Sequence, residues 1–285
     1  MSARRQRQMC IRDRYKDAHM PWDWHKPLFE HAREIDITIF SSPFDESAVD
    51  LLEDLNVPAY KIASFETVDL RLIDYVARTG KPMIISTGMA SEDEIREAVD
   101  TARAGGCSEL ALLTCVSSYP AMPSDYNLSR IVDMRERFQT VVGLSDHTLD
   151  NTCAIASITL GGCIIEKHFT LDRKGGGADD SFSLEPNDMK NLCESSLAAW
   201  QSIGSPEYGT KSTEKNNAQY RRSLYFVKSL KKGDVIKIDD IRSVRPGFGL
   251  PTKMFDSVVG SEVNCNVSYG DPVKLADIIM KSDID

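Results

Sequence analysis

TVVGLSDHT (residues 140–148) and CIIEKHF (residues 163–169) are two consecutive runs of β-branched and apolar residues, and each closes on a histidine, His147 and His168. A strand buried on both faces of a parallel sheet reads as such a near-continuous run. Upstream the pattern repeats in ITIFSS (37–42), AYKIAS (59–64), PMIIST (82–87) and LALLTC (110–115). Amphipathic stretches at 47–55, 70–79 and 91–104 fall between the runs, the last opened by Ser91 with Glu94 three residues on, a capping-box signature. The alternation predicts a parallel α/β fold. An open doubly wound sheet gathers its chemistry at one switch point and calls for GxGxxG after the first strand. Here that motif is absent, and nearly every predicted strand ends in a chemically capable residue: Ser41 and Ser42, Ser64, Ser86 and Thr87, Thr114, Ser145 and His147, Glu166 and His168. A barrel distributes its site in that way, so a TIM-type (β/α) barrel is expected.

A closed barrel needs eight βα units, and six are legible. The expected fold is therefore a barrel lacking its first two units. The opening residues, MSARRQRQMCIRDR (1–14), carry five arginines and no apolar h-region, unlike a secretory signal. They read as a tail foreign to the fold, placed where two strands would stand. The partial barrel is expected over 15–203, ending in a helix at 187–203, with a polar linker at 204–221. From 222 to 285 short strands such as SLYFV and DVIKI alternate with turns, which predicts a small, mostly-β domain.

Composition narrows the function. The 285-residue chain has a formal charge of −9, which argues against nucleic acid as the main partner but permits a local basic pocket. No apolar run approaches ~18 residues, so no transmembrane helix is expected. The seven cysteines, irregularly spaced and without CxxC, read as reduced, buried thiols of a cytoplasmic protein.

The two strand-end histidines could share one divalent ion with positions left open for water and substrate oxygen. The residues alone equally allow two hydrogen-bonded histidines without metal. Alternation places Glu166 with His168 inside the barrel, as general base, orienter or structural ion-pair partner, and turns Lys167 toward the helices. Lys61 lies within a strand. A lysine inside a barrel calls for an anion, and with Ser86, Thr87, Ser117 and Ser145 it would suit phosphate or carboxylate. Snorkelling to the rim is the alternative. Tyr119-Pro120 reads as a turn, Arg245 as an arginine before a rigid turn, and Trp22, Trp24 and His25 as packing residues.

Taken in order, FSSPF (40–44), AYKIASFE (59–66), ISTGM (85–89), SSYP (117–120), GLSDHT (143–148), EKHFTLD (166–172), FSLEP (182–186) and RPGFGL (245–250) resemble the sialic acid synthase family over about residues 15–280. SFE, RRSLY and VRPGFGL are most similar to its pseudaminic acid branch, with N-acetylneuraminate and legionaminate synthases as alternatives. The resemblance implies a TIM barrel followed by an antifreeze-like (SAF) domain in a domain-swapped homodimer. It implies condensation of phosphoenolpyruvate with an open-chain N-acetylated amino sugar and release of phosphate, assisted by a divalent ion, usually manganese. It assigns the metal to His147 and His168, and catalytic roles to Glu166, Asp179 and Arg245, the last reaching from one subunit into the other's barrel. Phosphoenolpyruvate binding falls to Lys61, Ser64, Ser86, Ser145 and Tyr119, and to Ser117, where the family has asparagine. The family's glutamate on the first strand and lysine on the second have no counterpart here, so the chain as written is expected to be nearly inactive. Two rivals remain: a non-enzymatic carbohydrate- or ice-binding protein, and a barrel aldolase with a Schiff-base lysine at position 61.

Overall fold

The computed structural model describes residues 20–281, so the expected foreign tail at 1–14 lies outside the described residues. Five strands form one parallel sheet: β1 (Tyr60–Ile62), β2 (Met83–Ser86), β3 (Leu110–Cys115), β4 (Val141–Asp146) and β5 (Ile164–Lys167). They pair in chain order, β1-β2-β3-β4-β5. A doubly wound sheet reverses its order at a switch point. This one never reverses, which is the winding of a barrel, and among the described residues the sheet is open. The α/β barrel-type fold is therefore as expected, with one strand fewer. ITIFSS (37–42) forms no strand; Ser41 makes a single parallel bridge to Tyr60, and the Lys61 N–H donates to the Ser41 carbonyl at 3.4 Å. Ile37 and Phe40 are exposed, so among the described residues nothing on the far side holds that segment extended.

Among the described residues seven helices accompany the sheet: α1 (Trp22–Glu34), α2 (Glu46–Asp54), α3 (Leu70–Ala77), α4 (Glu92–Ala104), α5 (Arg130–Phe138), α6 (Thr152–Thr159) and α7 (Pro186–Ile203). Their starts follow from local chemistry. Asp45 and Asp69 accept the Ala48 and Leu72 N–H groups, and the Ser91/Glu94 capping box forms in full. Helices α1 to α6 each bury two or more side chains, whereas the 18-residue α7 buries only Leu192. On α3, Leu72, Ile73, Val76 and Ala77 are buried beside Tyr60, Ile62, Met83 and Ile85. Each such aliphatic side chain contributes roughly 1.5–3 kcal/mol. α1 corrects an expectation: His25, Phe29 and Ala32 pack, whereas Trp22 and Trp24 are exposed. The helical period turns position 24 away from that stripe, whereas Trp22 shares its face but stands in the first turn, at the open end of the helix.

The chain divides into two compact units at Gly204/Ser205. In the second, β6 (Ser223–Phe226) pairs antiparallel with β7 (Ile241–Val244), and β8 (Glu262–Val263) with β9 (Ile278–Ile279). A one-turn helix, α8 (Phe255–Val258), helps enclose a core of Leu224, Phe226, Ile236, Ile241, Val258, Val263 and Val273. Cys107, Cys115 and Cys153 are buried as expected, but Cys163 and Cys193 are exposed. Among the described residues no helix is long and apolar enough to cross a membrane.

Candidate active site at the carboxyl ends of the strands

The strand ends surround a cleft of about 330 Å³ lined by Ser42, Lys61, Ser64, Ser86, Cys115, Tyr119, Ser145, His147, Glu166 and His168, among others. Sheet register builds its centre. Ser145 and Glu166 are paired neighbours on β4 and β5, and the Ser145 hydroxyl donates to Glu166 Oε1 at 2.6 Å. Glu166 Oε2 lies 3.6 Å from Lys61 Nζ, which also donates to the Ile62 carbonyl at 3.1 Å. Lys61 is 6% exposed, so it does not snorkel to the rim. Burial lowers its pKa, and the Glu166 carboxylate works against that shift. The result is one buried ammonium among hydroxyls, two of which (Ser86 and Ser117 Oγ) are buried without a hydrogen-bond partner. Unpaired buried donors beside a cation form an incomplete anion cradle.

Two details depart from simple alternation. Alternation along the strand would put Ser64 opposite Lys61, on the side of Tyr60 and Ile62. The strand stops at Ile62, and a single 3₁₀ turn at Ser64–Glu66 swings Ser64 into the cleft, where its Oγ accepts the Gly88 N–H at 3.1 Å. Thr87 is turned away; its hydroxyl donates to the Leu113 carbonyl at 3.1 Å. Gly88 is a site residue that the sequence does not disclose. A Cβ there would collide with Ser117 Oγ and lie 2.8 Å from Ser64 Oγ, so only glycine lets the two hydroxyls converge.

The histidines meet across the same cleft, their ring centroids 5.2 Å apart. His147 Nδ1 is 2.7 Å from the Val116 carbonyl. A carbonyl only accepts, so Nδ1 carries the proton and Nε2 keeps its lone pair. Burial lowers the His147 pKa, although the Val116 contact opposes it, which favours the neutral ring. His168 Nδ1 lies 3.2 Å from Asp179 Oδ2, the carboxylate–histidine arrangement that orients metal ligands. Two imidazoles with both Nε2 atoms left over fit a divalent ion with open positions. Among the described residues no group of three or more His, Cys, Asp or Glu side chains is placed to hold one. Tyr119 packs its ring 4.3 Å from that of His147, and Phe182 lies 5.1 Å from the His168 ring. Burial raises the Tyr119 pKa, keeping a phenol there.

Tyr126 is a second support without a sequence signal. Its buried hydroxyl accepts the His147 N–H at 2.6 Å and donates to the Ser145 carbonyl at 3.4 Å. The loop after β5 is stapled by Arg173, which donates to the Ser183 carbonyl at 2.8 Å and to Asp188 Oδ2 at 2.6 Å. That staple fixes the turn carrying Asp179 and Phe182. Lys61, Ser64, Ser86, Ser117, Tyr119, Ser145, His147, Glu166, His168 and Asp179 are thus all at or beside the cleft. Arg245 lies in the second unit, at the end of β7. A larger crevice of about 650 Å³, lined by Phe40, Leu113, Ile165, Met189, Leu192 and Trp200, is mostly apolar and touches the first cleft at Glu166 and Lys167.

Residues 2–208 match the model of the NeuB family and residues 221–279 that of the SAF domain. The chain is 40% identical over 266 residues to the pseudaminic acid synthase of Helicobacter pylori (strain ATCC 700392 / 26695), covering 93% of this chain and 78% of that protein. It is 35% identical to the pseudaminic acid synthase of Campylobacter jejuni (strain 81-176), covering 92% and 77%. Among solved structures, the spore coat polysaccharide biosynthesis protein SpsE of Bacillus subtilis superposes with a TM-score of 0.63 at 33% identity, covering 92% of this chain and 79% of that one.

Proposed function

The chain belongs to the NeuB family, and from that membership and the chemistry of the cleft we propose that it serves the pseudaminic acid synthase reaction. Phosphoenolpyruvate condenses with 2,4-diacetamido-2,4,6-trideoxy-altrose and water, giving pseudaminic acid and inorganic phosphate. The carrying observation is the Ser145–Glu166–Lys61 chain of contacts in the same cleft as two histidines with free Nε2 atoms.

In this reading Lys61 and the hydroxyls of Ser64, Ser86 and Ser117 hold the phosphate and carboxylate of phosphoenolpyruvate, and Ser145 lines the same pocket while its hydroxyl proton goes to Glu166. Tyr119 closes that side as a neutral donor. C3 of the enolpyruvate bonds to the aldehyde carbon, a water oxygen bonds to C2, and the C2–O bond to phosphorus breaks, so phosphate leaves with that oxygen. Glu166, fixed by Ser145 and Lys61, accepts the proton that the water loses. The former aldehyde oxygen takes up a proton to become a hydroxyl. The oxygen added to C2 becomes the ketone oxygen as phosphate departs, carrying away the second water proton. Asp179 holds His168 in its ligand tautomer. A divalent ion, manganese in this proposal, would be held by His147 and His168, and when bound it polarises the sugar aldehyde. The proposal also carries a cytoplasmic homodimer in which Arg245 of one copy serves the pocket of the other.

The test is a titration of phosphoenolpyruvate and Mn²⁺ into the chain, with released phosphate measured for the 2,4-diacetamido sugar and for N-acetylmannosamine. Expected are phosphoenolpyruvate binding that needs Lys61, metal binding that needs both histidines, and any phosphate release confined to the 2,4-diacetamido sugar. Borohydride trapping of pyruvate on Lys61, or metal binding indifferent to both histidines, would overturn it.

A further inference from the structure

One residue before each histidine sits a charge. Asp146 precedes His147 on β4, Lys167 precedes His168 on β5, and the two are register partners in the sheet. Because side chains alternate, Ser145, His147, Glu166 and His168 face the cleft while Asp146 and Lys167 face the other way. There they meet: Lys167 Nζ is 3.1 Å from Asp146 Oδ2, with side chains 3% and 0% exposed. Oδ2 makes no aligned hydrogen bond, so the contact is Coulombic. The ammonium sends its hydrogens to the carbonyls of Thr148, at 2.6 Å, and Asp150, at 2.8 Å. Asp146 Oδ1 accepts the Thr148 N–H at 2.9 Å. Every one of these bonds ends on the turn immediately after His147.

We propose that the buried Asp146–Lys167 pair is the positioning element of the histidine pair, clamping the ends of β4 and β5 together and fixing the 147–150 turn so that both imidazoles serve one divalent ion. The inference rests on the metal reading of His147 and His168 given above. An ion pair so deep in the fold is expensive to desolvate, and an apolar pair of similar volume would hold a core at least as well. What an apolar pair cannot do is bind three groups of the following turn at once. The lysine does so through two carbonyls and the aspartate through an amide. Two residues whose charged ends point away from the cleft thereby set the distance between the rings.

Co²⁺ titration of the full chain, without substrate, tests the assignment; the readouts are its visible d–d absorption and its affinity. His147→Ala/His168→Ala establishes the metal site independently and is expected to abolish the signal. Asp146→Asn and Lys167→Met are expected to weaken Co²⁺ by about 10-fold to 100-fold, as loss of outer-shell support does, with an altered absorption band. Should either single variant fail to fold, Asp146→Leu/Lys167→Met removes both charges together and is expected to fold while showing the same weakened affinity. Amide exchange at Thr148, which loses its acceptor, is expected to quicken in the apo double variant. A folded variant with wild-type Co²⁺ affinity and an unchanged spectrum would overturn the positioning role and leave the metal site standing. Co²⁺ binding that survives removal of both histidines would overturn the metal reading, and the positioning role with it.

Discussion

Lys61 is under two opposed electrostatic demands. Its burial disfavours the ammonium, while Glu166 at 3.6 Å favours it. The Glu166 side chain is 42% exposed, so it keeps much of its hydration and compensates the lysine only in part. A trianionic substrate would complete the compensation. Lys61→Met is therefore expected to leave the melting temperature unchanged or raise it by about 2–4 °C, while abolishing phosphoenolpyruvate binding. Thermal unfolding and calorimetric titration check the two halves separately. A Lys61→Met variant that melts far below wild type would show Lys61 to be structural. At this scale the sequence is informative wherever a residue type is anomalous for its place: a lysine within a strand, histidines at strand ends, Glu166 beside His168. It is silent where the signal is geometric. Nothing in ISTGM says that Gly88 exists to let Ser64 and Ser117 converge. Nor does the spacing of Ser64 reveal the 3₁₀ turn that reverses its side.

Elements are held at their ends by single polar contacts, and Asp240, just before β7, shows how. It is 4% exposed; burial by itself would raise its pKa, but Lys228 Nζ at 2.9 Å and the Lys237 N–H at 2.8 Å more than offset this, and the pKa falls below its ordinary 3.8. With the folded value below the unfolded one, the unfolded state binds more protons as the solution acidifies. The stabilisation is thus complete above about pH 5 and is lost as pH falls through 3.8 toward the folded value. Asp240→Asn is expected to cost about 1–3 kcal/mol near pH 7 and to flatten the acid limb of stability. Urea unfolding followed at the methyl groups of Val263 and Val273, between pH 5 and 3, reads the second unit specifically. Parallel acid limbs for wild type and variant would refute the assignment. Strands are legible as elements where their apolar runs are bounded by small polar residues, as LALLTC is, residue for residue. ITIFSS fails as a strand because its pairing to β1 stops at the single Ser41–Tyr60 bridge and its Ile37 and Phe40 side chains are exposed rather than buried. α1 is not legible as a helix because Pro27 lies inside it and Trp24, an apolar residue off its buried stripe, masks its 3.6 period.

At the scale of the molecule, the strand order without reversal and the scatter of polar residues over many strand ends are one fact. A sheet that winds in one direction brings every carboxyl end to the same rim, so serines, lysine, glutamate and histidines far apart in sequence share one cleft. The second unit has its own core and needs no partner to explain its fold. The function proposed for Arg245 is therefore a claim about assembly, separable from folding. In a homodimer where each copy's arginine serves the other's pocket, Lys61→Met and Arg245→Ala chains should each lack competent sites when pure. Unfolded and refolded together in equal amounts, half the dimers are mixed, and each mixed dimer has one pocket with both an intact Lys61 and a partner's intact arginine. Phosphoenolpyruvate binding should then return at roughly a quarter of the sites. If each pocket drew its arginine from its own chain, no mixed dimer would hold an intact site and nothing would return. Full binding by pure Arg245→Ala would remove the arginine from the pocket altogether. The three results are separated by stoichiometry alone, so the experiment distinguishes a shared site from a self-contained one even where turnover is slow.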